Sequence, residues 1–354
     1  MFTKKSLLAL LLCGAMALPL AACSSGTSKA ASPAAGSGTA AASKTSSAKF
    51  VMKIGHSQPT DNPRHISLLA FKKEVEEKTN GGVSVEIYPS GQLGSEKEML
   101  ESVKMGTLQG MRGGQFDMLP KLLVFTLPFL CQTDAQVDAL LDSDAALKIC
   151  EESKKDNMYI LGLGNAGGWR QFSNNRHPIK TPADLKGLKM RTPGMDTIDG
   201  TFKAMGATTV SVPYNDLYMS LKTGVADGQE NPLTNMVTMK FYEVQKYVTM
   251  VNYMFHPDPF YVNKSWFDSL PSEDQEVIKA ATKNMMKVNN DNINQNDAKA
   301  LETVKQHCEV YTPTADELQQ FKDASNAVYD TYLKQGKITQ DELDNMRNIV
   351  KQAK

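Results

Sequence analysis

Trp169-Arg170, then Arg176, then Leu188-Lys189-Met190-Arg191-Thr192-Pro193 are residues whose types and spacing suit recognition of an anion. With Leu188 and Met190 facing a core, the strand pleat sends Lys189 and Arg191 to the other face, and Pro193 ends the strand just beyond Arg191. A guanidinium then stands at a strand's carboxyl end, where open α/β sheets bind ligands. Arginine suits a carboxylate because its planar fork donates two parallel charge-assisted hydrogen bonds and stays protonated. The plain alternative for any one of these arginines is a surface position or a structural ion pair.

Catalytic chemistry is poorly represented. The five histidines (His56, His65, His177, His256, His307) show no ligand spacing, and no Gly-x-Ser-x-Gly elbow occurs, so neither a zinc enzyme nor a hydrolase is indicated. No catalytic residue, metal ligand or cofactor is assigned. Gly162-Leu-Gly164-Asn-Ala-Gly167 follows an apolar strand as a dinucleotide fingerprint would, but the next residues lack the apolar helical period needed to hold a pyrophosphate. A glycine-rich crossing between domains is the better reading. Asp227 and Glu230 resemble a carboxylate pair, but a turn and an ion pair with a nearby base explain them equally well, and for Trp169 and Phe255 core packing is the better reading than stacking on a sugar ring.

The elements that must position these residues alternate regularly. Phe50 to Gly55 reads as a strand, Asn62-Pro63 as a helix start, and Leu68, Phe71 and Val75 recur at helical spacing until Asn80-Gly81-Gly82. Val83, Val85 and Ile87 alternate as a strand, and Ser95 with Glu98 forms a capping box for a helix ending at Gly106. The pattern resumes with a strand at 158–163, a short turn after Thr181 and a strand around Leu188 and Met190. A helix near 196–205, a strand at 207–212 and a short helix ending at Gly224 follow. Residues 271–308 predict one long helix, with further helices at 315–334 and 339–352. Strand-helix alternation implies a mainly parallel sheet.

The amino terminus reads as an export signal: Lys4 and Lys5, an apolar stretch from Leu7 to Leu20, then Leu20-Ala21-Ala22-Cys23, which resembles a lipoprotein cleavage site with Cys23 lipidated. Residues 24–48 are almost entirely Ser, Ala, Gly, Thr and Lys, the composition of a tether. The 39 basic and 39 acidic residues balance, which does not indicate nucleic-acid binding. Beyond Cys13 and Cys23 the cysteines are Cys131, Cys150 and Cys308, an odd number without metal spacing, allowing at most one disulfide.

Five motifs in order carry a family resemblance: Gly55-His-Ser-Gln-Pro, Tyr88-Pro-Ser-Gly-Gln-Leu-Gly-Ser, Thr181-Pro-Ala-Asp-Leu-Lys-Gly-Leu-Lys-Met-Arg-Thr-Pro, Ala226-Asp-Gly-Gln-Glu-Asn-Pro and Phe241-Tyr-Glu-Val-Gln-Lys. From about residue 50 onward the chain resembles the solute-binding subunits of tripartite ATP-independent periplasmic (TRAP) transporters. The resemblance implies that Arg191 pairs with a ligand carboxylate, that Arg170 is the second arginine, that Asn231 also contacts the carboxylate and that Tyr214 packs on the ligand or donates to it. Ser57 and Gln58 match less secure polar contacts, and Trp169 is a candidate stacking residue. Gly113-Gly114-Gln115 stands where sialic-acid-binding members carry an acid, which argues against that ligand.

The resemblance therefore implies an α/β, two-lobed periplasmic-binding-protein-like fold with a hinge cleft and a long C-terminal helix spanning both lobes. The expected layout is a signal peptide at 1–22, a tether at 23–48, lobe I at 50–167 plus 257–296, and lobe II at 168–256 plus 297–354. The expected function is capture of a small organic acid, with a sugar acid such as a uronate, aldonate or keto-gulonate favoured and a C4-dicarboxylate as the alternative. The protein is expected to be a monomer, extracytoplasmic and anchored to the membrane by its lipid, and to hand its ligand to TRAP membrane permease subunits. A sensor-associated binding protein and a nicotinamide-dependent enzyme are the remaining alternatives.

Overall fold

Local cap chemistry starts the first helix where the sequence predicts it. Asn62 accepts a hydrogen bond from the Arg64 amide (3.0 Å) and Pro63 takes the first helical position of α1 (Pro63–Lys78). Ser95 and Glu98 form the reciprocal capping box of α2 (Glu96–Met105), which ends on Gly106 in the left-handed region at φ 81°. The structure, a computed structural model, describes residues 49–116 and 118–353. The expected signal peptide at 1–22, the expected lipidation of Cys23 and the expected tether at 23–48 lie outside the described residues.

Two sheets result. The first contains β1 (Phe50–Gly55), β2 (Val83–Tyr88), β3 (Gly110–Arg112), β4 (Met158–Asn165) and β10 (Pro257–Asn263) in the order β2-β1-β3-β10-β4. β1 runs parallel to β2 from Phe50 opposite Val83 to Gly55 opposite Tyr88, whereas β10 is antiparallel to both neighbours. The second contains β5 (Arg170–Asn174), β6 (Lys189–Thr192), β7 (Thr208–Ser211), β8 (Gly228–Pro232), β9 (Tyr247–Thr249) and β11 (Glu309–Tyr311), in the order β11-β9-β5-β8-β6-β7.

Between and around these strands lie α3 (Asp134–Leu141), α4 (Asp144–Glu151), α5 (Asp196–Ala204), α6 (Leu217–Lys222), α7 (Leu233–Thr238) and α8 (Lys264–Asp268). After β10 come α9 (Ser272–His307), α10 (Ala315–Lys334) and α11 (Gln340–Gln352). At 36 residues α9 is about 54 Å long and serves both sheets. Its first half buries Ile278, Ala281 and Met285 in the apolar cluster of Ile54, Phe71 and Val85, and its second half buries Ala300 and Val304 with Leu233 and Phe241. That is the expected long C-terminal helix. The strap between β3 and β4 crosses over: α3 packs on α11, and the 3-10 turn Pro120–Thr126 packs on α5.

The chain passes from one sheet to the other between Asn165 and Arg170. Gly167 and Gly168 sit there at φ 125° and 106°, which a side chain would strain, and a Cβ on Gly167 would lie 2.9 Å from the Asn235 side chain. The Gly-x-Gly-x-x-Gly run is thus the end of β4 and the crossing. Its first two glycines let α9 approach, since a Cβ on Gly164 would lie 2.6 Å from the Met286 sulfur. Cys131, Cys150 and Cys308 are all free thiols.

Candidate ligand-binding site

The loops that leave the carboxyl ends of strands in both sheets converge on a cavity of about 310 Å³. The first sheet contributes Ser57 and Gln58 after β1, Ser95 and Glu96 before and at the start of α2, and Gln115 after β3. The second contributes Arg170 at the start of β5, Arg191 near the end of β6, Tyr214 after β7 and Asn231 on β8. Arg170 and Asn231 come together because β5 and β8 are antiparallel, with Arg170 opposite Pro232 and Gln171 opposite Asn231.

Three buried arginines line this cavity and differ in how they are compensated. Arg170 forms a fork on the Glu230 carboxylate and donates through the same nitrogen to Glu230 O (2.8 Å) and Asn231 Oδ1 (3.1 Å). Burial alone would pull its pKa down, but Glu230 outweighs that and holds it above its ordinary value. Arg64 is similarly held up, against burial, by Asp258 (3.0 Å) and Glu96 (3.0 Å). Arg191 is 2 % exposed, and its guanidinium donates from Nε (2.8 Å) and one terminal nitrogen (2.5 Å) to the carbonyl of Val212. No carboxylate among the described residues forms an ion pair with it. Burial pulls its pKa down to about 10, with the field of Glu230 a partial offset.

The pleat argument holds for β6: Lys189 is exposed, Met190 lies in the core and Arg191 turns to the opposite face. Burial is the difference, because loops from both sheets cover that face. Behind the wall, fully buried Arg112 shares Asp258 with Arg64 at 2.9 Å and donates to Ser67 Oγ (2.6 Å). His56 and His256 are kept neutral, chiefly by burial, with pKa values lowered to about 2 and about 3.

Hydrogen bonds also run between the two sets of loops across the mouth. Tyr214 Oη donates to Gln58 Oε1 (3.3 Å), Asn215 Nδ2 donates to Ser57 O (3.3 Å), and Asn62 Nδ2 donates to Asn235 Oδ1 (3.2 Å) and Thr238 Oγ1 (3.1 Å). Desolvation of the half-buried Tyr214 pushes its phenol up to about 12, so it stands as a neutral donor.

Six of the residues expected from the sequence, Arg191, Arg170, Asn231, Tyr214, Ser57 and Gln58, line this one cavity. Trp169 does not. Its indole N–H is tied to Asp134 Oδ1 (2.8 Å) and its ring meets Phe255 edge-on at 6.3 Å, so it lines a separate recess near α9. Glu230 and Asp227 resolve into ion pairs, the former with Arg170 and the latter with Arg176 (2.7 Å). Sequence reasoning missed Arg64, Glu96, Asn235 and His256 as lining residues. One signal was present for Arg64: it shares a helix face with Leu68, Phe71 and Val75, and a buried arginine demands partners.

A family model described as "Bacterial extracellular solute-binding protein, family 7" matches residues 54–335. The chain is 30% identical over 244 residues to the 2,3-diketo-L-gulonate-binding periplasmic protein YiaO of Escherichia coli, covering 68% of this chain and 74% of that protein. The sugar acid binding protein DctPAm from Advenella mimigardefordensis, solved with galactonate, superposes with a TM-score of 0.82 at 26% identity over 86% of this chain and 98% of that one. A TRAP solute-binding protein from Shewanella oneidensis with bound succinate gives 0.81 at 26% identity over 85% and 99%.

Proposed function

This chain belongs to the family 7 bacterial extracellular solute-binding proteins and is a TRAP transporter binding subunit rather than an enzyme; from that premise we propose that it captures a sugar acid by clamping its carboxylate on Arg191. The carrying observation is the setting of Arg191: a guanidinium 2 % exposed, bonded to a backbone carbonyl and, among the described residues, to no carboxylate, at the carboxyl end of a strand. Arg170 and Asn231 complete the clamp, the former already neutralised by Glu230 and so acting as a donor rather than as a free charge. The galactonate complex of one structural neighbour and the diketo-gulonate specificity of one relative support a sugar acid. The succinate complex of another favours the alternative, a C4-dicarboxylate.

Ligand capture proceeds by hinge closure of lobes 50–167 plus 257–296 and 168–256 plus 297–354, with crossings at 166–169 and between β9 and β10 and with the 3-10 turn at 120–126 and α3 lying on helices of the second lobe. The closed form is the one presented to the permease. The protein works outside the cytoplasm; that it does so as a monomer held by lipid on Cys23 is part of this proposal. Thermal-shift screening of the purified protein against aldonates, uronates, keto-gulonate, C4-dicarboxylates and neutral sugars tests the reading. A ligand at about 100 times its Kd stabilises by about 2.7 kcal/mol. Shifts with acids and none with neutral sugars are expected; shifts confined to neutral sugars or nucleotides would remove Arg191 from its role.

A further inference from the structure

Asn62 is 4 % exposed, and its side chain works in two directions. Oδ1 accepts from the Arg64 amide (3.0 Å), the N-cap bond of α1, so the side-chain nitrogen is turned away from its own helix. Nδ2 donates to Gln58 Oε1 (3.2 Å) and, on α7, to Asn235 Oδ1 (3.2 Å) and Thr238 Oγ1 (3.1 Å). Both acceptors on α7 are set to receive it. Thr238 donates its own proton to Thr234 O (3.1 Å), and Asn235 commits Nδ2 to Ala166 O (3.0 Å), which leaves Oδ1 facing Asn62.

Asn62 does not line the ligand cavity, whereas Gln58 and Asn235 do. Asn235 also meets the crossing between the sheets: it holds the Ala166 carbonyl, and its Oδ1 lies 2.9 Å from where a Cβ on Gly167 would stand. Asn231 of the clamp lies just before α7 on the same stretch of chain. When lobes 50–167 and 168–256 part, the cap bond travels with α1 and the bonds to α7 break. We infer that Asn62 is the closure latch of this protein, a positioning residue outside the cavity that joins α1 to α7 in the closed form and so ties ligand affinity to closure. Water replaces the latch bonds in the open form, so each contributes the modest net strength of an exchanged hydrogen bond. A closed state made less populated weakens the apparent affinity by the same factor. The inference rests on ligand capture by hinge closure and adds the residue that holds the closed form.

Asn62→Ser keeps an N-cap oxygen and removes Nδ2. The probe is whichever of galactonate, 2,3-diketo-L-gulonate and succinate, the acids named for relatives, raises the wild-type melting temperature most. Isothermal titration of the variant should show a Kd about five- to thirtyfold higher, and stopped-flow mixing should place the change in the off-rate. The ligand-free melting temperature should move by less than about 2 °C, because the cap remains. Thr238→Val removes one acceptor from the other lobe and should raise Kd by about two- to tenfold. The double variant should bind within about twofold of Asn62→Ser, since the bond that Thr238 accepts is already gone. Binding by Asn62→Ser within about twofold of wild type would overturn the inference, as would a double variant whose loss is the product of the two single losses. A ligand-free melt lowered by more than about 5 °C in Asn62→Ser would also overturn it, by showing that the residue serves the fold. Should Thr238→Val fail to fold, Asn62→Ser decides alone. Arg191→Met separates the two readings: normal binding there removes the clamp and leaves the latch standing, whereas lost binding there beside normal binding by Asn62→Ser removes only the latch.

Discussion

Replacing Arg191 by methionine removes a charge that the fold itself does not use. The guanidinium is 2 % exposed and pulled down to about 10 from 12.5, so holding it charged at neutral pH costs the folded state about 3 kcal/mol. The sign follows from the direction: the folded protein binds this proton less tightly than the unfolded chain, and the cost is fully present below about pH 10. Methionine relieves that cost, fills much of the volume and leaves the Val212 carbonyl without its donor, a loss of about 1 to 3 kcal/mol. The two effects nearly cancel, and the ligand-free melting temperature should move by no more than about 4 °C. Binding should behave differently. A carboxylate buried without its charged partner loses about 3 to 5 kcal/mol, a rise in Kd of a few hundredfold to a few thousandfold. Isothermal titration with whichever acid stabilises the wild type, beside a thermal melt without ligand, reads both quantities. Affinity within about threefold of wild type would refute the clamp; a collapse of the melt would show that Arg191 serves the fold instead.

The other residues separate along the same lines. Arg170→Met should destabilise the protein itself by about 3 to 5 kcal/mol in urea unfolding, because it strands Glu230, 0 % exposed, with only the Tyr253 hydroxyl at 2.8 Å as a side-chain donor among the described residues. Tyr214→Phe removes one hydrogen bond across the mouth and should raise the ligand off-rate by about two- to tenfold in stopped-flow measurements, with little change in stability. Gly228→Ala should lower stability by about 1 to 3 kcal/mol or more and weaken binding with it, since the new Cβ, on the strand β8 that carries Asn231, would lie 2.3 Å from the Ser173 carbonyl oxygen of β5. His56 and His256 are neutral in the fold but take up protons near pH 6.5 when unfolded, so stability should be full above that value and fall by about 2 to 3 kcal/mol between pH 7.5 and 5.5.

The sequence by itself determined most of the elements and half of the chemistry. Cap and stop signals at Asn62-Pro63, Ser95 with Glu98, Thr314 with Glu317 and Thr339 with Glu342 are local, so α1, α2, α10 and α11 begin where short-range hydrogen bonding places them. The strands β5, β8, β9 and β10 were not legible in that way. They are buried on both faces or too short to show alternation, and their pairing is set by distant partners. The fixed period of a pleat put Arg191 on the face opposite the core, and the family resemblance singled out Arg191, Arg170 and Asn231. What only the tertiary structure decided is compensation. That Arg170 is neutralised by Glu230, that Arg64 and Arg112 share Asp258 of β10, far along the chain, and that Arg191 pairs with no carboxylate among the described residues depend on which side chains the two sheets bring within hydrogen-bonding distance. A residue's type is written locally, but its free charge is a sum over neighbours that only folding assembles.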